Sequence, residues 1–168
     1  MRSRAEKVAF CGILTALAVI LSYVETLVPI NLGVPGIKPG FANIIAVFIL
    51  FSYGFGAALT VNVLRVVIVA AMFGSPASAL YALSGAVVSL AVMALLKKTG
   101  RFSVTGVSMA GGVMHNAAQL AVAMAVSKTP LLVSYLPALI VAGMVTGVVI
   151  GVIAQLLLRR LAGSLRRT

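Results

Sequence analysis

Aspartate is absent from this 168-residue chain, which has only two glutamates, one histidine and one cysteine. With so few acids, paired carboxylates for general acid–base catalysis are excluded. His115 and Cys11 cannot build a closed metal site by themselves, and a single cysteine excludes an internal disulfide. No glycine-rich phosphate loop with a lysine–serine pair occurs, so ATP hydrolysis is excluded as well. We therefore expect a protein that is not an enzyme and that needs no cofactor.

Charged residues of any kind make up only 9% of the chain, whereas 62% of the residues are apolar and the mean hydropathy is +1.20. Soluble domains have roughly a quarter of their residues charged. The net charge of +11 would suggest nucleic acid as the partner of a soluble protein. Here the basic residues stand at the ends of apolar runs and are not interleaved with aromatics, which excludes nucleic-acid binding. The composition predicts a polytopic protein embedded in membrane lipid.

Six apolar runs are candidates for membrane spans, since about 20 apolar residues cross a bilayer. The second and third runs are short and are separated only by Gly54-Phe55-Gly56, so they could also form one broken helix. Loops rich in lysine and arginine stay cytoplasmic. Basic residues cluster at 2–7, 97–101 and 159–167, and six spans place all three clusters on one side, whereas five spans would divide them. The sequence predicts one all-α membrane domain over 1–168, with both termini cytoplasmic and spans at about 8–28, 41–53, 57–73, 76–96, 104–126 and 132–158.

The fifth span carries three polar side chains, His115, Asn116 and Gln119. Their spacing of three and four residues places them on one face of a helix, near the bilayer midplane. Polar groups in hydrocarbon need partners, and two interpretations supply them. In the first, the three side chains hydrogen-bond to a neighbouring helix, which stabilises the bundle by roughly 1 kcal/mol for each bond. In the second, they bind a ligand. We favour the ligand site because polar residues of other spans fall in the same outer half of the membrane.

Arg65 is the most costly residue to insert, at roughly 2.5 to 3.5 kcal/mol for a helix centre. It either pairs with Glu25, near the outer end of the first span, or binds an anionic ligand, because a guanidinium matches a carboxylate or phosphate. Asn43 begins the second span at the same level, and Lys38 lies in the outer loop 33–40, which we expect to act as a lid. The predicted substrate-binding residues are Glu25, Lys38, Asn43, Arg65, His115, Asn116 and Gln119.

Small residues recur every fourth position in two spans. Gly143, Gly147 and Gly151 form such a stripe in the sixth span, and Gly12 and Ala16 stand in the same relation in the first. Stripes of this kind let helices approach closely. Packing inside the bundle is the favoured interpretation, and docking of a separate membrane subunit is the alternative. Gly12 and Ala16 are our candidate docking surface.

A series of short motifs covers nearly the whole chain, from about residue 8 to residue 160. Among them are Ser22-Tyr23-Val24-Glu25, Val34-Pro35-Gly36-Ile37-Lys38, Leu64-Arg65-Val66, Met114-His115-Asn116 and Tyr135-Leu136-Pro137. With these motifs the chain resembles the Gx transporter family, which is also labelled heptaprenyl diphosphate synthase component I. More distantly, it is similar to the S components of energy-coupling factor (ECF) transporters in its size, its six spans and the small-residue stripe of its first helix.

The similarity to S components implies the substrate-binding subunit of a vitamin-like uptake transporter in a bacterial cell membrane. Such a subunit captures a polar or anionic small molecule from outside, and it works either with a membrane T subunit and two ATPase subunits or without them. The other label implies a non-catalytic accessory protein of polyprenyl-diphosphate or quinone metabolism, or of flavin- or quinone-linked electron transfer. Prenyl diphosphate synthases hold magnesium and diphosphate with aspartate-rich motifs, so a chain without aspartate cannot be that catalyst.

Overall fold

The computed structural model describes residues 4–27 and 40–166, apart from the side chains of Arg4, Thr26 and residues 162–166. Within these ranges the chain is helical and has no strand. A short 3-10 helix, Pro130–Tyr135, precedes the last long helix. The helices are α1 (Arg4–Leu27), α2 (Ala42–Ser52), α3 (Phe55–Phe73), α4 (Pro76–Thr99), α5 (Val104–Ser127) and α6 (Leu136–Arg166).

Five of these helices are long and apolar enough to cross a membrane, counting only the described residues. This confirms a multi-pass, all-helical membrane protein. The predicted span at 41–53 corresponds to α2, which has only 11 residues. At 1.5 Å per residue such a helix is about 16 Å long, roughly half the thickness of the hydrocarbon core. The prediction of six spans is therefore confirmed for five of them, and the second is a half-length helix.

Helix α2 lies inside the bundle. Eight of its 11 residues are buried, and Ile49 has no exposed surface. It contacts α1, α3, α5 and α6, while the longer helices follow one another around it. Apolar residues cover α2 on all sides, as expected of a helix that is surrounded by other helices. The chain turns from α2 into α3 at Gly54, whose φ of 91° is a conformation that glycine adopts readily.

A lysine of α4 closes the C-terminus of α2. Lys97 Nζ donates a hydrogen bond of 2.6 Å to the carbonyl oxygen of Leu50 and lies 5.1 Å from the ring centroid of Phe51. The last carbonyl groups of a helix have no partner within the helix, and a cation over an aromatic face is attracted to it. Lys97 therefore fixes the end of α2 at the level of the basic connection between α4 and α5.

The glycine stripe of α6 packs against α5 within the bundle. A Cβ atom added to Gly147 would lie 2.6 Å from Met109 Cα, and one added to Gly151 would lie 2.6 Å from Thr105 Cα. The two backbones approach so closely that no side chain fits between them. Gly12 and Ala16 differ, because they lie on an exposed face of α1 and nothing is within 4 Å of a Cβ built on Gly12. The docking role of that face stays a prediction.

We expect Gly147→Ala to destabilise the bundle by about 1 to 3 kcal/mol, because the added methyl group collides with the backbone of α5. Unfolding by sodium dodecyl sulfate in mixed micelles, followed by circular dichroism, measures the change. Gly12→Ala is the matched control, and because its added methyl group meets no neighbour, it should leave the unfolding midpoint the same or raise it slightly. Equal midpoints for the two variants would show that the α5–α6 contact does not limit stability.

Replacing Lys97 by methionine should lower stability by about 1 to 2 kcal/mol, because a charge-assisted hydrogen bond to the end of α2 is lost. Its neighbour Lys98 is exposed, so Lys98→Met removes the same charge without removing this contact. The thermal midpoints of both variants in detergent provide the comparison. A similar loss in both would assign the effect to net charge rather than to the helix end.

Candidate functional site

A cavity of about 640 Å³ opens at one end of the bundle. Its walls come from the C-terminal parts of α1, α3 and α5, from the N-terminal end of α2, and from the N-terminal parts of α4 and α6. The basic residues of the α4–α5 connection and of the end of α6 lie at the opposite end. The polar lining residues are Ser22, Glu25, Asn43, Arg65, Ser75, Ser78, Tyr81, His115, Asn116, Gln119 and Thr146.

Six of the seven predicted site residues line this one cavity, although they come from four helices. They are Glu25, Asn43, Arg65, His115, Asn116 and Gln119. Lys38 and the predicted lid 33–40, except Gly40, lie outside the described residues. Gly40 itself lines the cavity. The structure thus brings the described members of the set together, and their role in binding a substrate stays a prediction.

Arg65 is buried, with 8% of its surface exposed. Its Nη1 donates a hydrogen bond of 3.3 Å to Ser22 Oγ, and its guanidinium is electrostatically coupled to Glu25 on the same helix as Ser22. Its Nε is buried and has no hydrogen-bond partner within the described part of the chain. One edge of the guanidinium is therefore held by α1, and Nε leaves a donor for another group.

Sequence reasoning proposed Glu25 for Arg65 and missed Ser22. Ser22 and Glu25 are three positions apart and share one face of α1. The position of the Ser22 hydroxyl one turn before the only acid of the span is the sequence feature that could have indicated its contact with Arg65. Glu25 lines the same cavity as Arg65, and the pairing of these two residues stays a prediction. Arg65 can contact a ligand as well, because its Nε is a donor without a partner among the described residues.

His115 rests against a glycine of α4. A Cβ atom on Gly85 would lie 2.9 Å from His115 Nε2 and 2.9 Å from Gln119 Cγ, so only glycine leaves space for both side chains. The Nε2 edge of the imidazole lies against Gly85, while Nδ1 is buried and has no partner among the described residues. Gly85 therefore positions two of the predicted site residues. The sequence alone did not indicate this role of Gly85.

Asn116 joins two helices. Its Nδ2 donates a hydrogen bond of 2.9 Å to the carbonyl oxygen of Leu139 in the first turn of α6. For this residue the interpretation as a tie between helices is therefore correct, although it also lines the cavity. The side chains of Gln119 and Asn43 make no hydrogen bond within the described ranges, so their amides are available to a ligand. Together the lining offers one guanidinium, one carboxylate, an imidazole, amides and hydroxyls.

Tyr81, Thr146 and two serines complete the polar lining. Ser75 and Ser78 satisfy each other at the start of α4, where Ser75 Oγ accepts from the Ser78 amide at 3.2 Å and Ser78 Oγ accepts from the Ser75 amide at 2.8 Å. Among the described residues no three histidine, cysteine or acidic side chains come together as metal ligands would. The site is therefore described by hydrogen-bonding groups and by the Arg65 and Glu25 charges.

Comparison with known proteins gives the family of the chain. The family model described as heptaprenyl diphosphate synthase component I matches residues 14–157. The chain belongs to this family. No curated protein and no solved structure matches it. The family name indicates a membrane component related to heptaprenyl diphosphate synthase, which confirms the first resemblance seen in the sequence. The similarity to ECF S components stays a hypothesis.

Asn116→Leu should destabilise the protein by about 1 kcal/mol, because the tie between α5 and α6 is lost within the membrane. Gln119→Leu is the matched control, since Gln119 stands three residues away in the same cavity wall and makes no such bond. Unfolding midpoints in mixed micelles test the difference. If Gln119→Leu proves as destabilising as Asn116→Leu, the bond to Leu139 is not what stabilises this wall.

Proposed function

We propose that this family member is the substrate-binding subunit of an ECF-type uptake transporter, which captures a vitamin-like small molecule with a polar or anionic group from outside the cell. One observation carries the proposal, namely the cavity of about 640 Å³ with the buried Arg65 guanidinium in its wall. Sites for small molecules usually measure about 300 to 1,000 Å³ and combine apolar walls with a few polar groups. The cavity fits that description.

The state of Arg65 supports a ligand-binding role. An ionisable residue inside a membrane span is costly and generally has a function. A buried donor without a partner costs about 1 to 3 kcal/mol, and Arg65 Nε is such a donor within the described residues. A ligand oxygen would supply the missing acceptor. Nη1 is already oriented by Ser22, so little reorganisation is needed when the ligand binds.

The direction of α2 supports an outward-facing cavity and cytoplasmic termini. Asn43 near the start of α2 lines the cavity, and Leu50 near its end contacts Lys97 at the basic end of the bundle. The chain runs towards the basic end along α2 and leaves it again along α3, which supports a sixth crossing that includes this short helix. Because basic loops stay in the cytoplasm, the cavity at the other end faces outside.

Native mass spectrometry of the protein purified in mild detergent tests this function. We expect a bound small molecule in the wild type and a loss of at least tenfold in its occupancy in Arg65→Ala. Arg101→Ala is the matched control, since Arg101 is exposed in the α4–α5 connection at the other end of the bundle. An Arg65→Ala protein that is folded and still carries the same molecule would remove Arg65 from the site.

The family name favours a second candidate, a non-catalytic membrane partner of a polyprenyl diphosphate synthase. Affinity capture from solubilised membranes separates the two. Recovery of a membrane T subunit and its ATPases supports the transporter. Recovery of a soluble prenyl synthase subunit together with an empty cavity supports the accessory role.

A further inference from the structure

We propose that the cavity takes an electroneutral, amphipathic molecule with an apolar or aromatic body and one polar edge. That edge presents a hydrogen-bond acceptor to Arg65 and a donor to His115. The inference rests on the proposed function and narrows its substrate class from polar or anionic molecules to uncharged ones.

The charge of the lining is the first argument. Arg65 and Glu25 are its only charged side chains among the described residues, and their formal charges cancel. The guanidinium and the carboxylate are already coupled to each other. A free anion would add an uncompensated charge to a site surrounded by apolar helices, which is unfavourable in a medium of low dielectric constant. A neutral acceptor such as a carbonyl oxygen satisfies Arg65 Nε without adding charge.

Two buried polar atoms without partners define the polar edge. Arg65 Nε is a donor, because a guanidinium carries only N–H groups. His115 Nδ1 is the second atom. The Nε2 side of the ring lies against Gly85 of α4, so Nδ1 is the ring nitrogen left without a partner. When Nε2 carries the proton of a neutral imidazole, Nδ1 is an acceptor. A ligand edge with a carbonyl group beside an N–H group matches this pair.

The apolar wall of the cavity would pack against the apolar body of the ligand. On α3 the cavity-facing residues continue from Arg65 for two turns to Phe73, at the spacing of one helix face. Eight residues of helix measure about 12 Å, so this apolar face is long enough for a fused-ring body to lie along it. Phe73 also stacks beside Tyr23, with 4.6 Å between the ring centroids. The apolar lining of α3 and α4 consists of Val66, Val69, Ala70, Phe73, Ala79 and Ala82.

Saturation-transfer NMR on the protein in nanodiscs tests this class with defined probes. Quinazoline-2,4-dione is neutral and aromatic and carries adjacent carbonyl and N–H groups, and its 1,3-dimethyl derivative lacks the donors. We expect the parent compound to bind and the dimethyl derivative to bind at least tenfold more weakly, since one buried hydrogen bond is lost. Benzoate, inorganic phosphate and geranyl diphosphate are the anionic probes, and none of them should compete with the parent compound.

Two variant pairs assign the contacts. Arg65→Ala and His115→Phe should each weaken binding of the dione by about tenfold, and Phe73→Ala should weaken it as well. Phe102→Ala is the control for the last variant, because Phe102 is similarly exposed but lies at the other end of the bundle. Circular dichroism establishes that every variant is folded before binding is measured.

The outcomes distinguish this inference from the function on which it rests. Arg65-dependent binding of an anionic probe, or an anion found as the molecule bound in the purified protein, would overturn electroneutrality and leave the receptor function intact. Equal binding of the dione and its dimethyl derivative, or no binding of either, would overturn the polar edge. A protein that carries no small molecule from the cell and binds none of the probes would overturn both proposals.

Discussion

The half length of α2 is the constraint on which the rest of the structure depends. At about 16 Å this helix fills only the half of the bundle that lies next to the basic end. Its C-terminus is held there by Lys97 and by the turn at Gly54. The five long helices continue past its N-terminus, and the cavity occupies the space that they enclose. A full-length helix in the same place would fill that space with side chains.

A cavity inside a membrane protein exposes polar groups to an environment in which each one needs a partner. The partners found here come from neighbouring helices: Ser22 of α1 for Arg65 and Leu139 of α6 for Asn116, while His115 packs against Gly85 of α4. Each contact ties two helices at the level of the cavity. The same side chains that give the cavity its polarity therefore also hold its walls in place, and only part of their hydrogen-bonding capacity is left for a ligand.

Much of this arrangement follows from the sequence, because the depth of a residue in the membrane can be counted along its span. The basic ends predict the direction of each span, which places residues as distant as Glu25 and Gln119 in the same outer half of the membrane, and in the structure both line one cavity. The sequence also predicts that the second run is short, at 13 residues, but it does not show that the resulting helix lies buried inside the bundle. Contacts such as Lys97 with Leu50 depend on how helices are rotated against each other, which hydropathy does not encode.

The walls of the cavity differ in how firmly they are packed. Helices α5 and α6 meet backbone to backbone along Gly143, Gly147 and Gly151, so the wall that carries His115 and Gln119 is rigid. Among the described residues, helix α1 packs mainly against α2 and α3 and leaves much of its length exposed, including Gly12. Yet α1 supplies both Ser22 and Glu25, the two groups that act on Arg65. Because a helix moves as a stiff unit, any change in the position of α1 changes the surroundings of that guanidinium. The predicted docking face and the charged centre of the cavity are therefore mechanically connected through one helix.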